Sequence, residues 1–157
     1  MILQGNQRGK GHKLAAQLLN ADNNQRIDIL EVRGAVAQDL HGVFDEWYAQ
    51  SMATKCLKYL YSLSINPDPS QGALTRAQYF DLIERAEKEL GLEGQPRAVL
   101  FHVHNDGREH GHVVWSRIDI DGMKAVHISH DRLKLRTVAQ KFANDHGITL
   151  PPGMRKI

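Results

Sequence analysis

The chain has one cysteine, Cys56, in 157 residues. That excludes an intrachain disulfide framework and CxxC metal sites. It also lacks a large charge excess: a formal net charge of +2 does not by itself announce a nucleic-acid binder. No apolar run approaches membrane-spanning length, and the first residues lack the apolar core of a signal peptide. The expectation is a cytoplasmic protein with no membrane partner. What is there is an ordinary globular composition, 41% hydrophobic and 24% charged, on a length that suits one domain with a real core. That domain is expected over residues 1–150, with 151–157 a tail or the start of a linker. Cys56 reads as a small buried hydrophobe at the start of a strand.

Charge is unevenly spread. NQRGKGHKL carries Arg8, Lys10 and Lys13, with no acid among residues 1–21. Between residues 124 and 141, Arg132, Lys134, Arg136 and Lys141 meet only Asp131. Each run either follows a phosphate backbone or is a solvated face. GNQRGKG reads as a loop after a short strand over 1–4, opening onto the helix KLAAQLLNA. Free N–H groups at such a junction suit an anion; a plain loop is equally compatible. It is not a P-loop, because Gly5 and Lys10 are one residue too close and His12 replaces the hydroxyl residue.

Periodicity orders the rest. RIDILEVRG alternates as a half-buried strand, and Val36 to Met52 carries a helical apolar stripe through Leu40, Val43, Phe44 and Trp47, with Tyr48 on its edge. In CLKYLYSLSINPDP, Leu60, Ser62, Ser64 and Asn66 share one parity, and Tyr59, Tyr61, Leu63 and Ile65 the other. The serine face either meets a ligand or meets solvent. Thr75 caps a helix ended by Gly91. After the histidine-rich hairpin described next, Asp121-Gly122 signals a two-residue turn into a third strand, MKAVHIS, and Ser129 a cap for a last helix stopped by Gly147. Hairpins force antiparallel pairing, so the fold class is α+β, a mainly antiparallel central sheet flanked by helices.

FHVHNDGREHGHVVWSR holds four of the nine histidines, His102, His104, His110 and His112. Neutral imidazole is a common metal ligand. With residues 105–109 as the loop, His104 lies opposite His110 and His102 opposite His112, so all four share one face with neighbouring Cβ atoms roughly 5 Å apart. A one-residue slip would split them between faces. Three histidines leave a divalent cation open positions for a substrate oxygen, whereas His104 as a fourth ligand would close a structural zinc site.

The spacing His102, His110, His112 resembles the metal motif of HUH-type relaxases, the mobilisation nucleases of conjugative plasmids. SLSINP resembles that family's serine-containing strand, and RAVLFHVHNDGREHGHVVWSRID its histidine hairpin, with Ser116-Arg117 where the family often has Asn-Arg. The Asp-Gly turn, the helix after it and the closing HGI extend the resemblance over most of the chain. The resemblance implies that His102, His110 and His112 hold a divalent metal (Mn, Mg or Zn) under the scissile phosphate of single-stranded DNA. It also implies a transfer-origin substrate in plasmid mobilisation, with relaxosome accessory proteins as partners. Arg8, Lys10, Lys13, Ser62, Ser64 and Arg117 are the expected DNA contacts. His104 stands where the family commonly has an acid; an orienting, proton-accepting or ligating role is open to it.

The larger departure is the nucleophile. The family's first-helix tyrosine falls in a pattern like Ala-x-Tyr-Leu, and the matching stretch here is Ala16-Gln17-Leu18-Leu19. Leucine cannot attack phosphorus. Tyr48, Tyr59 and Tyr61 are the candidate substitutes, with Tyr79 fitting a core stripe and His12 near one end of that helix. The alternatives are hydrolysis by activated water, or a DNA-binding module that does not cut.

Overall fold

The computed structural model describes residues 1–21 and 25–150; the expected turn at 22–25 and the tail at 151–157 fall wholly or partly outside them. Five strands form one antiparallel sheet: β1 (Ile2–Arg8), β2 (Gln25–Arg33), β3 (Leu60–Asn66), β4 (Arg97–His104) and β5 (Glu109–Ser116), in the order β1-β3-β5-β4-β2. Four helices cover it: α1 (Gly11–Leu19), α2 (Leu40–Ser51), α3 (Arg76–Glu89) and α4 (Asp131–His146). The fold is α+β, as the sequence predicts. Among the described residues no helix is long and apolar enough to cross a membrane.

Period-2 alternation sorts the strands into two cores. Odd positions such as Tyr61, Leu63, Val99, Phe101, Val113 and Trp115 point to one face, where they pack with Tyr79, Leu82 and Ile83 of α3 and Val138, Ala139 and Phe142 of α4. Leu60, Ala98, Leu100 and Val114 point to the other face. They pack there with Leu14, Ala15 and Leu18 of α1 and Leu40, Phe44 and Trp47 of α2. The Thr75 cap is present as a reciprocal box with Gln78, and Gly91 follows α3 at φ 76°, the left-handed conformation that glycine favours.

Several expectations are corrected. β1 runs on to Arg8, since Gln4 to Arg8 pair with β3. Gly5 is a point of close approach over the Tyr61 ring, which a Cβ there would strike. α2 starts at Leu40: Asp39 caps it by accepting from the Gly42 N–H, and Val36 is 91% exposed. β5 stops at Ser116, and a separate two-stranded ribbon follows, β6 (Ile118–Asp119) and β7 (Lys124–Ala125). Asp119 pairs with Lys124, so four residues rather than two make that turn, with Met123 at φ 52°. His130 at φ 52°, not Ser129, immediately precedes α4. Cys56 is half-buried and lies before β3.

Candidate metal centre and nucleic-acid face

The histidines reach one face through the β4–β5 hairpin. The observed register sets His102 opposite His110 and Leu100 opposite His112, two residues from the expected pairing. The tip explains the shift. His104 N–H donates to the Arg108 carbonyl (2.7 Å) and Gly107 N–H to the His104 carbonyl (2.9 Å). A three-residue tip with Gly107 at φ 91° thus replaces the five-residue loop. A shift of two keeps parity, so all four histidines remain on the α1/α2 face.

The imidazoles cluster. Ring centroids are 4.8 Å apart for His102 and His112, 4.9 Å for His104 and His110, and 6.5 Å for His110 and His112. His102 Nε2 lies 2.7 Å from the Leu18 carbonyl. A carbonyl only accepts, so Nε2 carries the hydrogen and Nδ1 keeps the lone pair. His104 Nε2 is 2.9 Å from His110 Nε2 and 3.2 Å from the Gln25 amide nitrogen. Burial, then the neighbouring His102 and His110, pushes His112 down to about 4. Burial, with His104, His102 and Arg108, lowers His110 as well.

His110 and His112 are therefore neutral rings at pH 7, with lone pairs suited to a borderline divalent cation. The donor chemistry fits a metal, and the Leu18 carbonyl on His102 is the kind of outer partner that fixes a ligand's tautomer. In the present rotamers His104 and His110 bond each other, and among the described residues no three His, Cys, Asp or Glu side chains are arranged around a common ion position.

Around the histidines the same face is polar. Ser64 stands directly opposite His112 and Ser62 opposite Val114; both serines are half-buried. On the edge strand, exposed Gln4 and Asn6 pair with Ser64 and Ser62, and Asn66 reaches Ser64 Oγ at 3.5 Å. Gln4, Asn6 and Gln25 were not singled out in the sequence. The alternation of Gln4 and Asn6 is the signal, hidden by reading Gly5 as a loop residue.

The tyrosines are not brought to the histidines. Tyr61 lies on the opposite face, fully buried, its hydroxyl donating to Asp131 Oδ2 at 2.9 Å, and burial raises its pKa. Tyr79 packs edge-on to Phe101 on that face too. Tyr59 departs from its expected parity: it precedes β3 and turns towards α1, where its hydroxyl accepts from the Gly11 N–H at 2.8 Å. Tyr48 packs beside it at 5.5 Å. This pair sits at the N-terminal end of α1, whereas Leu18 touches His102 at the C-terminal end, about 10 Å away along the helix. The Leu18 side chain is buried in the α1/α2 core.

The basic residues divide. Arg8, Lys10 and Lys13 line a cleft beside Tyr48 and Tyr59. The Tyr59 hydroxyl occupies the first N–H of α1, so the glycine-rich loop is not a bare backbone anion site. Arg117 is a correction. It is 8% exposed and donates to the carbonyls of Lys58 (2.6 Å) and Val126 (2.8 Å), with Cys56 Sγ at 3.6 Å. It ties two loops together rather than facing DNA.

An antiparallel five-stranded sheet between two helix pairs, with three spaced histidines on its central hairpin, defines an HUH-type nuclease domain. A model of the relaxase MobA/VirD2-like nuclease domain matches residues 17–148, and the chain belongs to that family. No curated protein and no solved structure matches it significantly.

Proposed function

We propose that this domain nicks single-stranded DNA with a divalent cation (Mn, Mg or Zn) held by His102, His110 and His112, at a transfer origin in plasmid mobilisation with relaxosome accessory proteins. The carrying observation is the imidazole cluster on one sheet face, beside Ser64 and a row of amides. When bound, the cation supplies charge neutralisation at the scissile phosphate. The Leu18 carbonyl orients His102, and Gln25 braces His104. Ser62, Ser64, Gln4, Asn6 and Asn66 offer hydrogen bonds to a strand lying across β3 and β1. His104, beside His110, is the proton acceptor in this reading.

The attacking group is the second element of the proposal. Each tyrosine of the chain is on the far face or at the other end of α1, which favours water. Its oxygen bonds to phosphorus, the P–O3′ bond breaks, the 3′ oxygen gains a proton, and a free 5′ phosphate remains. Attack by Tyr48 or Tyr59 requires the strand to reach the length of α1 away from the histidines.

The test is incubation with manganese or magnesium and single-stranded oligonucleotides, transfer-origin sequences included, followed by analysis of the new ends. The expected result is a metal-dependent nick with a free 5′ phosphate, lost in His112→Ala. A peptide–DNA adduct would return the attack to a named tyrosine. Binding without a nick on any sequence would leave a DNA-binding module with a structural metal site.

A further inference from the structure

We propose that the cleft at the N-terminal end of α1 is a nucleotide subsite, in which Tyr48 stacks on a base and Arg8, Lys10, Lys13 and Lys58 hold the flanking phosphates. It rests on the single-stranded DNA reading above and adds a base-reading contact remote from the histidines.

The chain builds the cleft from three segments. The end of β1 and the first turn of α1 form one wall, α2 contributes Tyr48, and the approach to β3 supplies Leu57 to Tyr59. Its volume is about 770 Å³, within the range of small-molecule pockets. Gly9 lets the walls meet: a Cβ there would sit 2.7 Å from the Leu57 carbonyl oxygen. Within it Tyr48 is 50% and Leu57 86% exposed, among the cations Arg8, Lys10, Lys13 and Lys58.

A flat exposed aromatic ringed by cations is the arrangement that single-stranded nucleic acid uses, stacking for bases and charge for phosphates. The charge is free to be used. Among the described residues no acid pairs with Arg8, Lys10, Lys13 or Lys58, and Arg8 bonds only the Gln17 side chain, at 3.0 Å. Asp45 is the single acid in the lining. The helix terminus does not make this site, since Tyr59 already takes the Gly11 N–H. That bond also holds the Tyr59 ring as the fixed floor against which Tyr48 packs. One strand can span both regions, because α1 joins them: its first turn lines the cleft and its last touches His102.

The experiment measures affinity of the full chain for two probes of equal length, a mixed-sequence single-stranded oligonucleotide and an abasic strand with the same phosphates. Tyr48→Ala should weaken binding of the base-bearing strand by about 5- to 150-fold, the equivalent of one base stack. The abasic strand should be unaffected, and the salt slope unchanged. Tyr48→Phe should keep wild-type affinity. Lys10→Ala with Lys13→Ala should weaken both probes and flatten the salt slope by about 1.4.

Equal losses on both probes, or none in Tyr48→Ala, overturn the subsite, and so does absence of binding by the wild type. An acidic-peptide site would show itself as no preference for the base-bearing strand, which also overturns it. Failure of the nuclease reading looks different: the base preference persists, and no nick forms with metal present.

Discussion

The two faces of the sheet are finished differently. On the α3/α4 face the cover is continuous and polar groups are admitted only with partners. Glu87, 4% exposed, accepts from Trp115 Nε1 at 2.8 Å and Arg97 Nη1 at 3.0 Å, and also pairs with Arg33. On the α1/α2 face the helices seal Leu60, Ala98, Leu100 and Val114, and then α1 ends. The next positions on the same strands are His102, His110, His112 and Ser64. Where helical cover stops, the strand keeps its parity and changes its chemistry. The difference separates burial that stabilises from polarity left available for a ligand.

The largest expected effects set the faces against each other. Glu87→Ala should cost about 3 kcal/mol in urea unfolding, because it leaves the buried Trp115 Nε1–H without its acceptor and takes one carboxylate from Arg97, which keeps Glu31 and Glu84. His112→Ala should cost under about 1 kcal/mol while removing metal-dependent cleavage. Comparable losses from the two would make the histidine face structural. Next, Arg117→Ala should lose about 2–3 kcal/mol with its carbonyl bonds and leave the salt slope of DNA binding unchanged; a flatter slope would return Arg117 to the interface.

The pH response sharpens the contrast further. The unfolded chain protonates its histidines near 6.5, whereas native His112 stays neutral down to about 4. The unfolded state therefore binds more protons in that window, and stability should fall as pH drops from 6.5 towards 4. The slope for this one group is at most about 1.4 kcal/mol per pH unit, and His112→Asn should remove it. His110, lowered as well, keeps its own share of the slope; a slope undiminished in His112→Asn would show that His112 does not contribute. The smallest effect belongs to Tyr61→Phe, about 1 kcal/mol for the bond to Asp131, with cleavage untouched. Loss of cleavage there would contradict the separation of the faces.

Much of this was legible in the chain. Parity alone gathers the four histidines, because it survives the two-residue error in register. Thr75, Gly91 and the Trp47 stripe carry local signals strong enough to read singly. Three of the failures share one physical cause, contacts between segments far apart in sequence. Gly5 reads as a loop glycine until Tyr61 is beneath it. Tyr59 leaves its strand parity to meet Gly11. Arg117 looks like a phosphate contact until the carbonyls of Lys58 and Val126 close on it. The basic stretch from Arg8 to Lys13 marks one wall of the cleft around Tyr48, but its other walls come from distant segments that no local pattern joins to it.

The uncovered end of the α1/α2 face is proposed to hold a divalent cation on three of its four histidines. Zinc titration followed through the histidine ring nitrogens by NMR tests it most directly. One site is expected, at which the signals of His102, His110 and His112 shift together, and which His112→Ala abolishes without unfolding the domain. Zinc shifts confined to histidines elsewhere, such as His12 or His146, with these three unmoved, would contradict it.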